Sequence, residues 1–211
     1  MLRSSASIII NQIQPYLQSA CTRLEPAGSW RRGKRDLGDI ELLALEKPGR
    51  PRLEFGKPES AFQSHIDRVI LQIKEDGYIA AIIRDGPRWK TIRLRPEMFP
   101  RLKESPLPTI DMDLFIVAPP AQWGVQMVIR TGPGGKGGFS QWMVTQRSKG
   151  GVLPNGYVVR EGAVWEADEQ GERADPAGEP IPMPEETDFF EFCGLPFIPP
   201  NERIPNWRRH R

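Results

Sequence analysis

The sequence predicts an α+β fold, in which helices and strands follow one another irregularly along a chain of 211 residues. Some segments repeat apolar side chains at the spacing of an amphipathic helix, whereas others alternate apolar and polar side chains as half-buried strands do. Turn signals rich in glycine, proline and aspartate separate these segments. The chain is 38% hydrophobic, which is enough to bury a core at this length.

The first half of the chain contains two predicted helices and five predicted strands. Ile9, Ile13 and Leu17 share one face of a helix over 6–20. In the strand "DIELLAL", the acids at 39 and 41 point to one face, and the apolar side chains that alternate with them point to the core. The other predicted elements are a strand over 22–27, a loop over 46–60, a helix from 62 to 77, a hairpin over 78–95 and a strand over 110–120.

The second half of the chain contains shorter elements. Its predicted elements are a helix over 122–130, a glycine-rich turn over 131–138, a helix over 139–151, a hairpin over 156–167 and a helix that begins near 184 and ends at Gly194. In the basic tail, we expect Trp207 to be exposed beside Arg208, Arg209 and Arg211.

The composition excludes several classes of protein. Two cysteines and two histidines argue against a disulfide framework, a structural zinc site and most histidine-dependent nucleophilic catalysis. No apolar stretch approaches the roughly 18 residues of a membrane span, and the start of the chain is not typical of a secretory signal. We therefore expect an intracellular protein whose chemistry depends on carboxylates and oxygen-preferring metals.

Charge is distributed unevenly along the chain. Residues 1–160 contain 24 Lys and Arg against 15 Asp and Glu, whereas residues 161–211 contain 5 against 12. A positive surface that also carries carboxylate clusters suits a polyanionic partner. The alternative is ordinary solvated surface charge.

Three acids on predicted strands indicate a metal site. Asp39 and Glu41 lie on one strand and Asp113 on another, so the carboxylates converge if these strands are neighbours. Mutual repulsion would then favour a pair of divalent cations, which is the usual arrangement for phosphoryl transfer. Taken on spacing alone, a solvated edge strand explains Asp39 and Glu41 equally well.

The stretch before these acids favours the metal site. "GS" at 28–29 begins a short helix whose backbone N–H groups, with the Ser29 hydroxyl, suit phosphate oxygens. Arg31, Arg32 and two further basic residues follow at once. An anion site beside a metal site is what a nucleoside triphosphate requires.

The motif "GSWRRGKRDLGDIELL" resembles the signature of the nucleotidyltransferase superfamily, and specifically that of the DNA polymerase beta-like family X DNA polymerases. The resemblance covers nearly the whole chain. It continues, in order, through "DGPRWK", "MDLFIV", "TGP", "GGVLPNGYVV" and "GEPIPMPEETDFFEFCGLPFIPPNER".

The resemblance implies a palm domain with a mixed β-sheet and flanking helices over 1–118, and a small C-terminal α/β lobe for nucleotide selection and DNA contact over 119–211. It also implies that Asp39, Glu41 and Asp113 bind metal and that Asp113 activates the primer 3′ hydroxyl. The implied nucleotide-binding positions are Gly28, Ser29, Arg32, Thr131, Gly132 and Ser140. Only about 27 residues precede Gly28, so we expect the minimal form of the small viral members, without the lyase domain.

Several residues depart from the family pattern. Glu41 replaces an aspartate, Asp111 replaces an arginine near the third acid, and Ile129 and Arg130 replace two aromatic residues before the Thr-Gly turn. Sugar discrimination and template dependence therefore do not carry over from the family.

The function expected from the resemblance is template-directed addition of deoxynucleotides to a primer 3′ end, by a monomer that fills gaps during DNA repair. Its expected partners are gapped or primer-template DNA and deoxynucleoside triphosphates, with no membrane. Its expected cofactors are two Mg²⁺ ions, with Mn²⁺ as the alternative. The alternatives to this function are template-independent or ribonucleotide addition and a non-catalytic nucleic-acid-binding module.

Overall fold

The computed structural model describes residues 1–49, 64–102, 109–205 and 207. These residues form a five-stranded mixed sheet with flanking helices and a second, two-stranded sheet, which confirms the predicted α+β class. Most of the loop predicted over 46–60 lies outside the described residues. The three tail arginines, Arg208, Arg209 and Arg211, also lie outside them.

The chain divides into two compact units. The first comprises Met1–Pro26 and Arg35–Ile116, and the second comprises Ala27–Lys34 and Val117–Arg211. The main division falls between Ile116 and Val117. The segment 27–34, however, groups with the second unit, because Arg31 and Arg32 both donate hydrogen bonds to Thr131.

The first unit is built on the five-stranded sheet. Its elements are α1 (Arg3–Gln18), β1 (Cys21–Pro26), β2 (Ile40–Glu46), α3 (His65–Glu75), β3 (Ile79–Asp85), β4 (Trp89–Leu94) and β5 (Ile110–Val117). The strand order is β1-β2-β5-β4-β3, and the pairs β1–β2, β3–β4 and β4–β5 are antiparallel.

The core of the first unit forms where helices α1 and α3 pack together and α1 contacts β1. Ile9, Ile13 and Leu17 of α1 are fully buried, as their helical spacing predicts. Helix α3 begins at a cap in which the Ser64 hydroxyl accepts a hydrogen bond from the Asp67 N–H at 3.1 Å. Local capping and an apolar stripe therefore both support this layer.

The second unit packs short helices against the two-stranded sheet. Its elements are α2 (Gly28–Arg31), α4 (Trp123–Thr131), α5 (Phe139–Met143), β6 (Tyr157–Arg160), β7 (Ala163–Glu166) and α6 (Glu186–Phe192). Helix α4 contacts α5, α6, α2 and β7, so it is the centre of this unit. Gly124 lets α4 approach the backbone before α6, since a Cβ atom there would lie 2.0 Å from the Glu185 carbonyl oxygen.

Two expectations for the second unit are wrong. The helix predicted over 139–151 ends at Met143, because the chain turns back and the N–H of Leu153 donates to the Thr145 carbonyl. Trp207, expected to be exposed, is partly buried against the aromatic core, with its ring centroid 5.0 Å from that of Phe139.

Candidate active site

Asp39 immediately precedes β2 and Glu41 is the second residue of that strand, where the burial pattern is that of the predicted strand. Ile40 and Leu42 are fully buried, so the Glu41 side chain between them points to the opposite face of the sheet. Asp39 and Glu41 are both half-buried. Their alternation with buried residues is what the sequence predicts.

Asp113 lies on β5, which is the hydrogen-bonded neighbour of β2. It is half-buried between Met112 and Leu114, which are buried, so it also points away from the core. The Thr91 hydroxyl on β4 donates a hydrogen bond of 2.6 Å to its Oδ1. The strands that carry Glu41 and Asp113 are therefore neighbours, as the predicted metal site requires.

Among the residues that the structure describes, no group of three or more His, Cys, Asp or Glu side chains lies close enough together to hold a metal ion. The structure thus brings the two acid-bearing strands together without gathering the three carboxylates into one ligand cluster. The donor chemistry nevertheless suits Mg²⁺, which prefers carboxylate oxygens. Hydrogen-bonded strands lie about 4.8 Å apart, a distance that carboxylate side chains can bridge through a common ion.

Asp111 and Arg93 form an ion pair next to Asp113. Arg93 Nε and Nη2 donate to the two Asp111 carboxylate oxygens at 2.8 and 2.9 Å. This hydrogen bonding holds the pKa of Asp111 below its ordinary value. We call the five residues Glu41, Thr91, Arg93, Asp111 and Asp113 the acidic face.

The segment predicted to bind phosphate forms the single-turn helix α2. Gly28 is buried and has a φ of 57°, a left-handed conformation that favours glycine. Ser29 is half-buried. Arg32 follows the helix, and its Nη1 donates to the Thr131 carbonyl oxygen at 2.6 Å.

Arg31 belongs to an ion triad within the second unit, in which Glu186 and Arg203 are buried and Arg31 is half-buried. Its Nη1 and Nη2 donate to the two carboxylate oxygens of Glu186 at 3.0 and 2.9 Å. Arg203 Nη1 donates to Glu186 Oε1 at 2.7 Å, and the Arg203 side chain is 0% exposed. Burial above all, and then repulsion from Arg31 and Arg32, lowers the pKa of Arg203 against the opposing effect of Glu186. We call Arg31, Arg32, Glu186 and Arg203 the arginine cluster.

Sequence reasoning missed Glu186 and Arg203. Glu186 lies in the acidic first turn of α6, which signals a helix start, and Arg203 lies in a proline-rich segment. Neither local pattern distinguishes a buried ion from a solvated one. The only available signal was the match of these segments to the family motif.

The remaining predicted nucleotide-binding residues surround the end of α4. Thr131 is fully buried, and its hydroxyl accepts a hydrogen bond from Arg31 at 3.1 Å. The Ser140 hydroxyl donates to the Ile129 carbonyl oxygen at 2.8 Å. Gly132 allows this packing, because a Cβ atom there would lie 2.4 Å from Ser140 Oγ.

The two cysteines are poor candidates for catalysis. Burial raises the pKa of both Cys21 and Cys193 to about 12, so neither thiol forms a nucleophilic thiolate near neutral pH.

Among the described residues, every helix is too short or too polar to cross a bilayer.

Comparison with protein-family models finds no match to this chain, and comparison with curated proteins finds none either.

Proposed function

We propose that this protein is a small template-directed DNA polymerase, which adds deoxynucleotides to a primer 3′ end and fills short gaps in duplex DNA. The observation that carries the proposal is the excess positive charge of the arginine cluster. Two guanidinium groups, those of Arg31 and Arg203, share the single carboxylate of Glu186. A largely buried triad with a net charge of +1 favours an anion nearby.

The chemistry around this excess charge suits a triphosphate. Gly28 and Ser29 come directly before the cluster in the chain, and Arg32 adds a further guanidinium beside Thr131. Guanidinium groups bind phosphate oxygens through paired, charge-assisted hydrogen bonds. Ser29 and Arg32 would hold the β- and γ-phosphates, and the turn at Thr131 and Gly132 would lie against the sugar of the incoming nucleotide.

The acids of the first unit provide the other half of the proposal. Asp39, Glu41 and Asp113 would hold two Mg²⁺ ions or, as the alternative, Mn²⁺. Such ions, when bound, neutralise the charge that develops as pyrophosphate leaves. Asp113 is also suited to accept the proton of the primer 3′ hydroxyl, because its only side-chain hydrogen-bond partner among the described residues is the neutral hydroxyl of Thr91.

The test is single-nucleotide incorporation on gapped and single-stranded primers, with each deoxynucleotide supplied separately. The wild-type protein should add the matched nucleotide, and Asp39→Ala should reduce incorporation by about a thousandfold, since a lost metal ligand removes several kcal/mol of transition-state stabilisation. DNA binding by Asp39→Ala should be unchanged. Asp36→Ala is the matched control, because Asp36 is exposed and lies in the same segment.

Three outcomes would contradict the proposal. Undiminished incorporation by Asp39→Ala would reject the metal-dependent mechanism. Equal use of matched and mismatched nucleotides would identify a template-independent transferase instead. DNA binding without turnover of any nucleotide would identify a non-catalytic binding module.

A further inference from the structure

We propose that Asp111 protects Asp113 from Arg93. By holding the Arg93 guanidinium in an ion pair, Asp111 keeps this cation away from the Asp113 carboxylate, which then stays available to a divalent cation. Asp111 is thus a positioning residue that acts through Arg93. The inference rests on the proposed function, in which Asp113 is a metal ligand.

The strand register places these side chains on one face of the sheet. In the antiparallel pair β4–β5, Thr91 lies opposite Asp113 and Arg93 lies opposite Asp111. Residues two apart on a strand point to the same face, so the two pairs are adjacent. Ile92 and Met112, which lie between them, point the other way and are buried.

The two pairs differ in charge. Arg93 binds Asp111 through two charge-assisted hydrogen bonds of 2.8 and 2.9 Å. Asp113 accepts a single hydrogen bond from the neutral Thr91 hydroxyl. Of the two carboxylates on β5, the proposed metal ligand Asp113 is therefore the one that no cation contacts within the described part of the chain, and it accepts only the Thr91 hydrogen bond there.

Arg93 is able to reach Asp113 if Asp111 does not hold it. Diagonal neighbours on antiparallel strands are about 7–8 Å apart, which a long side chain can bridge. A guanidinium paired with Asp113 would compete directly with a divalent cation for the carboxylate oxygens. Loss of the Asp111 charge should therefore weaken metal binding, although Asp111 itself binds no metal.

The experiment measures Mn²⁺ binding by electron paramagnetic resonance, which does not depend on turnover. The four proteins are wild type, Asp111→Asn, Arg93→Gln and the double variant, each checked for folding by circular dichroism. Asp111→Asn should bind Mn²⁺ about fivefold more weakly, the size of effect expected for a half-exposed ion pair. Arg93→Gln and the double variant should both bind within about twofold of wild type, because both lack the Arg93 guanidinium that would otherwise compete for Asp113.

Several results would overturn the inference. Unchanged binding by Asp111→Asn would do so, and so would a double variant that binds no better than Asp111→Asn. If Asp111→Asn does not fold, Arg93→Gln decides alone, because weaker Mn²⁺ binding by that variant would mean that Arg93 supports the site.

If the proposed function itself is wrong, Mn²⁺ binding should follow a different pattern. Wild type and Asp39→Ala would then bind Mn²⁺ equally. Failure of the present inference alone would leave Mn²⁺ binding dependent on Asp39 but insensitive to Asp111.

Discussion

The acidic face of the first unit and the arginine cluster of the second unit both concentrate charge, but they differ in burial. In the Arg93–Asp111 pair, 36% of the Arg93 side chain and 34% of the Asp111 side chain are exposed. In the arginine cluster, by contrast, Arg203 is 0% and Glu186 8% exposed. Water therefore screens the charges of the Arg93–Asp111 pair, whereas charge in the cluster also supports the fold.

The two regions also differ in how their partners are connected along the chain. The ion pair of the acidic face joins neighbouring strands, 18 residues apart. Arg31 and Glu186 are 155 residues apart. The cluster thus ties distant segments together, so substitutions there should affect stability far more than substitutions on the acidic face.

Glu186→Gln should produce the largest loss of folding stability. It removes the carboxylate that Arg31 and Arg203 share and leaves Arg203 buried without this counter-charge. The free energy of unfolding, measured by urea denaturation, should fall by about 3–5 kcal/mol. Glu191→Gln on the same helix is the control, because Glu191 is exposed and its loss should change stability by less than about 0.5 kcal/mol. Similar values for the two variants would show that the triad does not support the fold.

Gly124→Ala should produce an intermediate loss of folding stability, since it strains the contact that positions α6. The added Cβ would lie 2.0 Å from the Glu185 carbonyl oxygen and 2.8 Å from that of Met183, so the backbone before Glu186 must move. The expected loss is about 1–3 kcal/mol in the same denaturation assay. Gly134→Ala is the matched control, because a Cβ atom there meets nothing within 4 Å. Equal stability of Gly124→Ala and Gly134→Ala would contradict this account.

Arg93→Gln should have the smallest effect on stability. Water screens the pair that it breaks, and the released Asp111 carboxylate is itself partly solvated. The urea midpoint should not shift measurably. The same substitution at Arg31, whose partner Glu186 is buried, should lower the midpoint clearly. A reversal of this order would mean that burial does not explain the difference between the two regions.

The strands and most helices could be predicted because their signals are local. Alternation in "DIELLAL" and "IDMDLFIV" identified the buried faces of β2 and β5, and the acids at 41 and 113 followed from that alternation. The end of α5 could not be predicted, because it depends on the return of Leu153 to Thr145. Burial of Trp207 likewise depends on contact with Phe139 and Trp142, which lie far away along the chain.

The sequence alone predicts which side chains face the core, because burial of apolar groups follows the period of the local backbone. Which charges meet was established only by folding, because an ion pair depends on separation in space and on exclusion of water. In the sequence, Arg31 is only one of several basic residues in its segment. Its pairing with Glu186, and the sharing of Glu186 with Arg203, exist only once these segments have been brought together.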